Sequence, residues 1–217
     1  MVTTVTDQPY TLVSSTQGTV GSYTGQWKDG KPHGQGKIVL PKGIVYTGNW
    51  ENGKRSGQGT MTWENGQKYE GGWKDDKYGG QGTFTYSNGS VYVGNFSNGA
   101  KNGYGRVVYD TGTVYEGDWV NDRKDGQGKY TWKDGSSYEG GMKNDAFSGY
   151  GVYRGNGIVY EGNWSNNEKN GYGKFTSTDG TVYEGNWTNN KFDGQGTMTF
   201  TNGTVWSGTW KNGEFVG

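Results

Sequence analysis

Aromatic residues in this chain alternate with small and polar ones. In Tyr46-Thr-Gly-Asn-Trp50 every second residue is Tyr, Gly or Trp, and in Thr60-Met-Thr-Trp63 the large side chains again stand two apart. Strand side chains point to opposite faces in turn, so this spacing predicts β-strands with one aromatic and one polar face. The pattern is also periodic. An aromatic opens each block, at Tyr23, Tyr46, Tyr69, Tyr92, Tyr115, Tyr138, Tyr160, Tyr183 and Trp206, with a spacing of 23 residues except for 22 between Tyr138 and Tyr160. Gly follows two residues later, and after two more come Trp27, Trp50, Trp73, Phe96, Trp119, Met142, Trp164, Trp187 and Trp210. A Gly-x-Gly such as Gly57-Gln58-Gly59 comes next. A period of this length indicates a tandem array whose units contact mainly their neighbours.

The turns follow from residue chemistry. The seventh and eighth residues of each block are drawn from Asn, Asp and Gly, as in Asn52-Gly53, Asp75-Asp76 and Asn166-Asn167. These residues tolerate the positive φ that a two-residue type I′ hairpin turn needs at both central positions. That tip places Trp50 opposite Arg55, Gly48 opposite Gly57 and Tyr46 opposite Gly59. The second connection ends on Gly in its third position, as in Glu64-Asn65-Gly66 and Lys133-Asp134-Gly135, which suits a three-residue loop with a left-handed bulge residue. It sets Met61 opposite Tyr69 and Gly59 opposite Gly71. The shorter block retains only Asn156-Gly157 at this connection, and a two-residue turn there pairs Tyr153 with Tyr160, keeping the faces intact. Followed across strands, one row reads Ile38, Tyr46, Gly59, Gly71, Gly80, Phe96, Lys101, with bare backbone under neighbouring rings.

The predicted fold is all-β: an elongated, curved, single-layer antiparallel hairpin array with an aromatic groove on one face, ~80 Å long at the usual strand spacing. Residues 1–22 read as an N-terminal cap containing an edge strand at Thr11-Leu12-Val13, residues 23–205 as eight tandem repeats, and residues 206–217 as a final half repeat. The sheet edge at that half repeat, with Trp206, Trp210 and Phe215, is an expected self-association surface.

Composition narrows the chemistry. With 44 Gly in 217 residues and only 29% hydrophobic residues, the aliphatic content of an ordinary core is missing, and the 16% aromatics must supply the buried surface. There is no cysteine, hence no disulfide or thiolate metal site, and His33 stands alone beside Pro32 at a hairpin tip as an ordinary exposed imidazole. Glu70, Glu116, Glu139, Glu161 and Glu184 form a ladder on the polar face with no unique pair for acid–base work. Gly-x-Gly lies within predicted strands and precedes no helix, so it is read as room for rings and not as a phosphate cradle. No catalytic residue, cofactor or metal is expected. Twenty-one basic and 21 acidic residues cancel, which argues against nucleic acid binding and against a strong anionic-membrane anchor. No apolar run approaches the ~20 residues of a membrane span, residues 1–22 lack the pattern of a secretory signal, and five Asn-x-Ser/Thr sites fall inside the repeats; a cytoplasmic location is the expectation.

The sequence Tyr-Glu-Gly-Asn-Trp at 160–164 and 183–187, followed by Gly-x-Gly and Asp/Asn-Gly, resembles the MORN (membrane occupation and recognition nexus) repeat, over about nine-tenths of the chain. The departures are Phe96 and Met142 in place of Trp, and Trp206 in place of Tyr; around Met142 a bend is the simpler reading. The resemblance implies a scaffold of β-hairpins, placed in other proteins at membranes or the cytoskeleton, that binds phosphoinositide headgroups, clamps a partner peptide in its groove, or forms a tail-to-tail homodimer. The functional expectation is a non-catalytic scaffold that binds a protein or peptide partner through the groove or the open sheet edge. Tyr92, Phe96, Tyr115, Trp119, Tyr138, Met142, Tyr160 and Trp164 are the expected groove contacts. Phosphoinositide binding and carbohydrate stacking are the alternatives.

Overall fold

The computed structural model describes residues 1–12 and 18–217, and the described residues form nineteen antiparallel strands and no helix. Val13, assigned from sequence to an edge strand, lies outside the described residues. The chain divides into two compact units, Met1–Asp110 and Thr111–Gly217. The first contains β1 (Val2–Leu12), β2 (Thr19–Lys28), β3 (Lys31–Leu40), β4 (Ile44–Glu51), β5 (Lys54–Thr62), β6 (Lys68–Lys74), β7 (Lys77–Thr85), β8 (Val91–Ser97) and β9 (Ala100–Val108). The second contains β10 (Val114–Val120), β11 (Arg123–Thr131), β12 (Ser137–Lys143), β13 (Ala146–Gly155), β14 (Ile158–Ser165), β15 (Glu168–Thr176), β16 (Val182–Thr188), β17 (Lys191–Thr199), β18 (Val205–Lys211) and β19 (Glu214–Phe215). Within each unit every strand pairs with the next in sequence, a meander of hairpins.

Both turn types form as their residues dictate. The tips carry positive φ at both positions, 49° and 66° at Asp75 and Asp76, 49° and 68° at Asn166 and Asn167. The three-residue loops end on left-handed Gly, such as Gly66 and Gly135, both at 84°. The short block turns on Asn156-Gly157 and pairs Tyr153 with Tyr160, so the missing residue is absorbed without a change of face.

The register inside each hairpin differs from the sequence expectation. Trp50 does face Arg55, but Gly48 faces Gly59 and Tyr46 faces Met61, because a bulge sets Asn49 against the three residues 56–58. Gly57 sits in that bulge at φ 68°, a conformation that strongly favours Gly. The two extra residues displace the register by two, which leaves every side chain on its predicted face. The mixed row read from sequence therefore does not form: Gly80, Phe96 and Lys101 pair with one another beside the bulges, and the other four residues fall on two separate rows. One is a glycine ladder, Gly25, Gly36, Gly48, Gly59, Gly71, Gly82, Gly94 and Gly105 in the first unit. The other, alongside it, reads Tyr23, Ile38, Tyr46, Met61, Tyr69, Phe84, Tyr92 and Val107.

The ladder explains Gly-x-Gly. The first Gly supplies the bulge; the second lies beneath the opening ring, where a Cβ on Gly59 would stand 2.5 Å from Tyr46 Cε2. The opening Tyr lies across the ladder and its hydroxyl donates to the carbonyl three residues on, Tyr46 to Asn49 at 2.8 Å and Tyr160 to Asn163 at 2.9 Å. Where both flanking positions are Trp, two indoles grip the ring edge-on: Trp50 at 5.2 Å and Trp73 at 5.0 Å for Tyr46, Trp164 at 5.1 Å and Trp187 at 5.2 Å for Tyr160; Tyr69 lies between Trp73 and Phe96. The indole N–H donates to a ladder carbonyl of the preceding hairpin, Trp73 to Gly59 and Trp187 to Gly173, both at 3.1 Å. Burying each aromatic contributes about 2–3 kcal/mol, which offsets the poor strand propensity of Gly.

The N-terminal edge strand is longer than expected. Residues 2–12 pair with β2 around a bulge at Asp7 (φ 52°), and the β-branched run Val2-Thr-Thr-Val-Thr was the sequence signal for it. Tyr10 of β1 stands edge-on to Trp27 and Trp50 and donates to the Gly53 carbonyl at 2.9 Å, capping the aromatic row.

Candidate functional site

Each repeat places aromatics on one face at two depths. The first strand of the hairpin carries Tyr-x-Gly-x-Trp, whose rings are consumed by the packing just described. All eight expected groove residues belong to this layer: Tyr92 and Phe96 in the first unit, Tyr115, Trp119, Tyr138, Met142, Tyr160 and Trp164 in the second, none more than 8% exposed. They form the floor of the aromatic face. Desolvation beneath their neighbours pushes the opening phenols up, Tyr23, Tyr138 and Tyr183 to about 12 and Tyr46, Tyr69 and Tyr160 further.

The accessible layer comes from the second strand and the loop after it. In the first unit Trp63, Phe84 and Tyr86 are half-buried and touch in series, Trp63 to Phe84 at 5.9 Å and Phe84 to Tyr86 at 4.6 Å. In the second, Trp132 stacks on Tyr130 at 5.6 Å and meets Tyr153 at 6.0 Å and Phe147 at 6.2 Å. Sequence reading placed Trp63 on the aromatic face but did not separate floor from rim. The separating signal is present in the blocks: the floor positions are nearly constant, whereas the rim position reads Trp63, Tyr86, Tyr109, Trp132, then Gly155 and Ser177.

Cations share this face. From β5 to β17 the second residue of each second strand is either a ring lying on the opening Tyr, as Tyr78 on Tyr69 at 3.9 Å and Phe147 on Tyr138 at 3.7 Å, or a cation over it, as Arg55, Lys101, Lys124 and Lys169; in β3 it is Pro32. Arg55 is ion-paired to Asp76 at 2.9 Å with both side chains largely buried, and Lys124 to Asp145 at 3.5 Å.

Other expectations fall as follows. Trp210 is buried, while Trp206 is 45% exposed and stacks on half-buried Phe215 at 5.6 Å. His33 is in β3, not at a tip; it is half-buried, and its Nδ1 is enclosed without a hydrogen-bond partner. The Glu ladder is on the polar face, where Glu70 and Glu139 pair with Lys68 and Lys129. That face also carries a feature missed in the sequence: where five repeats have Gln between the two glycines, Tyr104, Tyr150 and Tyr172 stand more than half exposed, and the last two donate to Glu161 and Glu184. Among the described residues no group of three His, Cys, Asp or Glu side chains is placed to hold a metal.

Solved structures that this chain is similar to include the TCP domain of Drosophila melanogaster SAS-4 in complex with a proline-rich motif of Ana2, at 14% identity, 81% of this chain, 90% of that chain and a TM-score of 0.43. The TCP10 domain of Danio rerio CPAP in complex with a STIL peptide aligns at 12% identity over 94% of this chain and all of that one, TM-score 0.47. No curated protein matches. The MORN repeat profile matches at 23–45, 46–68, 69–91, 92–114, 115–137, 138–157, 160–182, 183–205 and 206–217, segments that begin on the nine ring-bearing openers. With hairpin, ladder and opener all accounted for by that repeat, the chain belongs to the MORN repeat family.

Proposed function

We propose that this protein is a non-catalytic scaffold that holds a polypeptide partner against the rim of its aromatic face. The single observation that carries this reading is the second layer of rings. Trp63, Phe84 and Tyr86 in one unit, and Tyr130, Trp132 and Tyr153 in the other, remain half-exposed although the floor beneath them is complete. Rings that hold the sheet together have no need of a further exposed row, and partly dry aromatic rows are the surfaces on which apolar anchors of a peptide dock. The eight floor residues then act as support: they fix the height and spacing of the rim and contribute to binding through it. Charge supports a protein partner over an anionic lipid, because Arg55 and Lys124 on this face are already paired with carboxylates.

The test is affinity selection of a displayed peptide library on the full chain, repeated with Trp132→Ser and Tyr153→Ser together. Loss of the selected peptides from the double variant, with an unchanged circular dichroism spectrum, is the expected result. Equal retention of the same peptides by the double variant sinks the rim as the binding surface. Flotation on phosphoinositide vesicles and oligosaccharide calorimetry distinguish the lipid and glycan readings.

A further inference from the structure

Lys169 differs from the other described cations of the aromatic face. Its Nζ stands 5.1, 5.0 and 5.0 Å from the rings of Tyr160, Phe175 and Trp187, a three-sided aromatic enclosure. In two corresponding places the cation has a carboxylate partner that comes from the tip of the next hairpin: Asp76 for Arg55, Asp145 for Lys124. The tip residue at the same offset from Lys169 is Asn190. The backbone geometry is common to all three. Asp76, Asp145 and Asn190 have φ of 66°, 69° and 68°, and each accepts a hydrogen bond through Oδ1 from the backbone N–H of its cation, at 3.0, 3.0 and 2.9 Å. Only the charge is missing. Among the described residues no carboxylate lies within ion-pair distance of Lys169 Nζ, and burial alone pulls this amine below the ordinary lysine range.

A half-buried ammonium with rings on three sides and no counter-charge is a receptor for an anion arriving from outside. We propose that Lys169 is the charge anchor of the partner-binding face and receives a carboxylate side chain, Asp or Glu, from a polypeptide whose apolar residues lie on the neighbouring rings; this rests on the protein-binding role proposed above. The single charge selects the occupant. A phosphoinositide headgroup carries several negative charges and is held by clusters of about four to eight basic residues, whereas this enclosure offers one. A carboxylate flanked by apolar residues matches it in charge and in the apolar character of the walls.

The experiment uses the full chain and a displayed library of random peptides, selected in parallel on the natural protein and on Asn190→Asp. That substitution installs the tip carboxylate seen beside Arg55 and Lys124, at a φ that Asp already adopts there and with the backbone hydrogen bond retained, so the fold is kept. The natural protein is expected to enrich peptides with one Asp or Glu among apolar residues, and Asn190→Asp to bind them at least ~10-fold more weakly. Replacing the peptide's acidic residue by its amide should give a similar loss on the natural protein and little on Asn190→Asp. Enriched peptides without an acidic residue, or equal binding by Asn190→Asp, overturn the anchor while leaving the rim intact. No enrichment on either protein overturns both. Flotation on phosphatidylinositol bisphosphate vesicles that Asn190→Asp abolishes, with no acidic peptide selected, assigns Lys169 to a headgroup and overturns the peptide reading.

Discussion

The two strands of each hairpin carry different loads. The first strand repeats Tyr-x-Gly-x-Trp with little variation, and its rings are almost fully buried across the glycine ladder, whether in β4 or in β14. The second strand varies. Its first ring-facing position alternates among Pro32, Arg55, Tyr78, Lys124, Phe147 and Lys169, and its far end leaves Trp63 or Trp132 half-exposed. The contrast teaches where each property of the protein resides. Cohesion is written in the strand that varies least, because each opening Tyr must fit between its flanking side chains, two indoles in the case of Tyr46 and Tyr160, and over a bare backbone. The recognition proposed above draws on the strand that varies more.

The largest way to break the first strands is to ionise them together. Folded-state phenols such as Tyr23, Tyr138 and Tyr183 are held near 12 by burial, against 10.0 in the ordinary state. Each raised pKa contributes stability that is fully present below pH 10 and is lost as pH rises through 10 toward 12, because the unfolded chain releases its protons first. Many openers share this environment, so a steep cooperative alkaline unfolding is expected above pH 10. The share of phenolate absorbance that belongs to the eight buried openers should appear together with the change in far-ultraviolet circular dichroism; ionisation of all 17 tyrosines a full pH unit before the loss of sheet signal contradicts the buried openers.

Next in size is a change beneath one ring. Gly59→Ala puts a Cβ 2.3 Å from Tyr46 Oη and 2.5 Å from Cε2, and that ring is wedged between Trp50 and Trp73. The cost is about 3 kcal/mol in chemical denaturation. Gly66→Ala is the control, since a Cβ there meets nothing within 4 Å and only its φ of 84° is strained; its cost should be about 1 kcal/mol. Equal costs would mean that the ladder is not set by the rings.

These two glycines also mark how far the sequence could be read. Positive φ at the loops, the shared face and the compensation at Asn156-Gly157 were legible, because each is a local consequence of residue type and count. The bulge at Gly57 was not, because a tip of Asn52-Gly53 is satisfied equally by Gly48 facing Gly57 or Gly59, and only the size of the Tyr46 ring over the backbone decides. The buried state of Tyr92, Trp119 or Trp164 was likewise hidden, since face assignment says which side a ring takes and not how much of it its neighbours cover. Asn190 in place of Asp was visible as a letter but meaningless until the structure brought it beside Lys169.

That pair sharpens the comparison at the level of single charges. Asp76→Asn makes the Arg55 site imitate the Lys169 site and leaves a largely buried guanidinium without its carboxylate, at a cost of about 2–3 kcal/mol. The reverse change, Asn190→Asp, should stabilise by less than about 1 kcal/mol, because Lys169 is already accommodated by three rings and the new pair is at a more exposed tip. Thermal denaturation of the two variants measures the asymmetry. A large gain from Asn190→Asp would show that the natural site is a strained structural pair and not an open receptor.

The smallest stability effect belongs to the rim, and it separates the strands most clearly. Trp132 touches Tyr130, Phe147 and Tyr153 near 6 Å but donates none of the indole hydrogen bonds that Trp164 and Trp187 make to the ladder. Removing it opens no enclosed cavity, since solvent already reaches the ring. Trp132→Ser should therefore cost about 1 kcal/mol or less in denaturant midpoint, against about 3–5 kcal/mol for Trp164→Ser, whose ring is 8% exposed and packs on both Tyr138 and Tyr160. Peptide affinity should follow the opposite order once both variants are compared at temperatures where each is folded. If Trp164→Ser lost less stability than Trp132→Ser, the second strand would be holding the sheet together and the division of labour within the hairpin would be reversed.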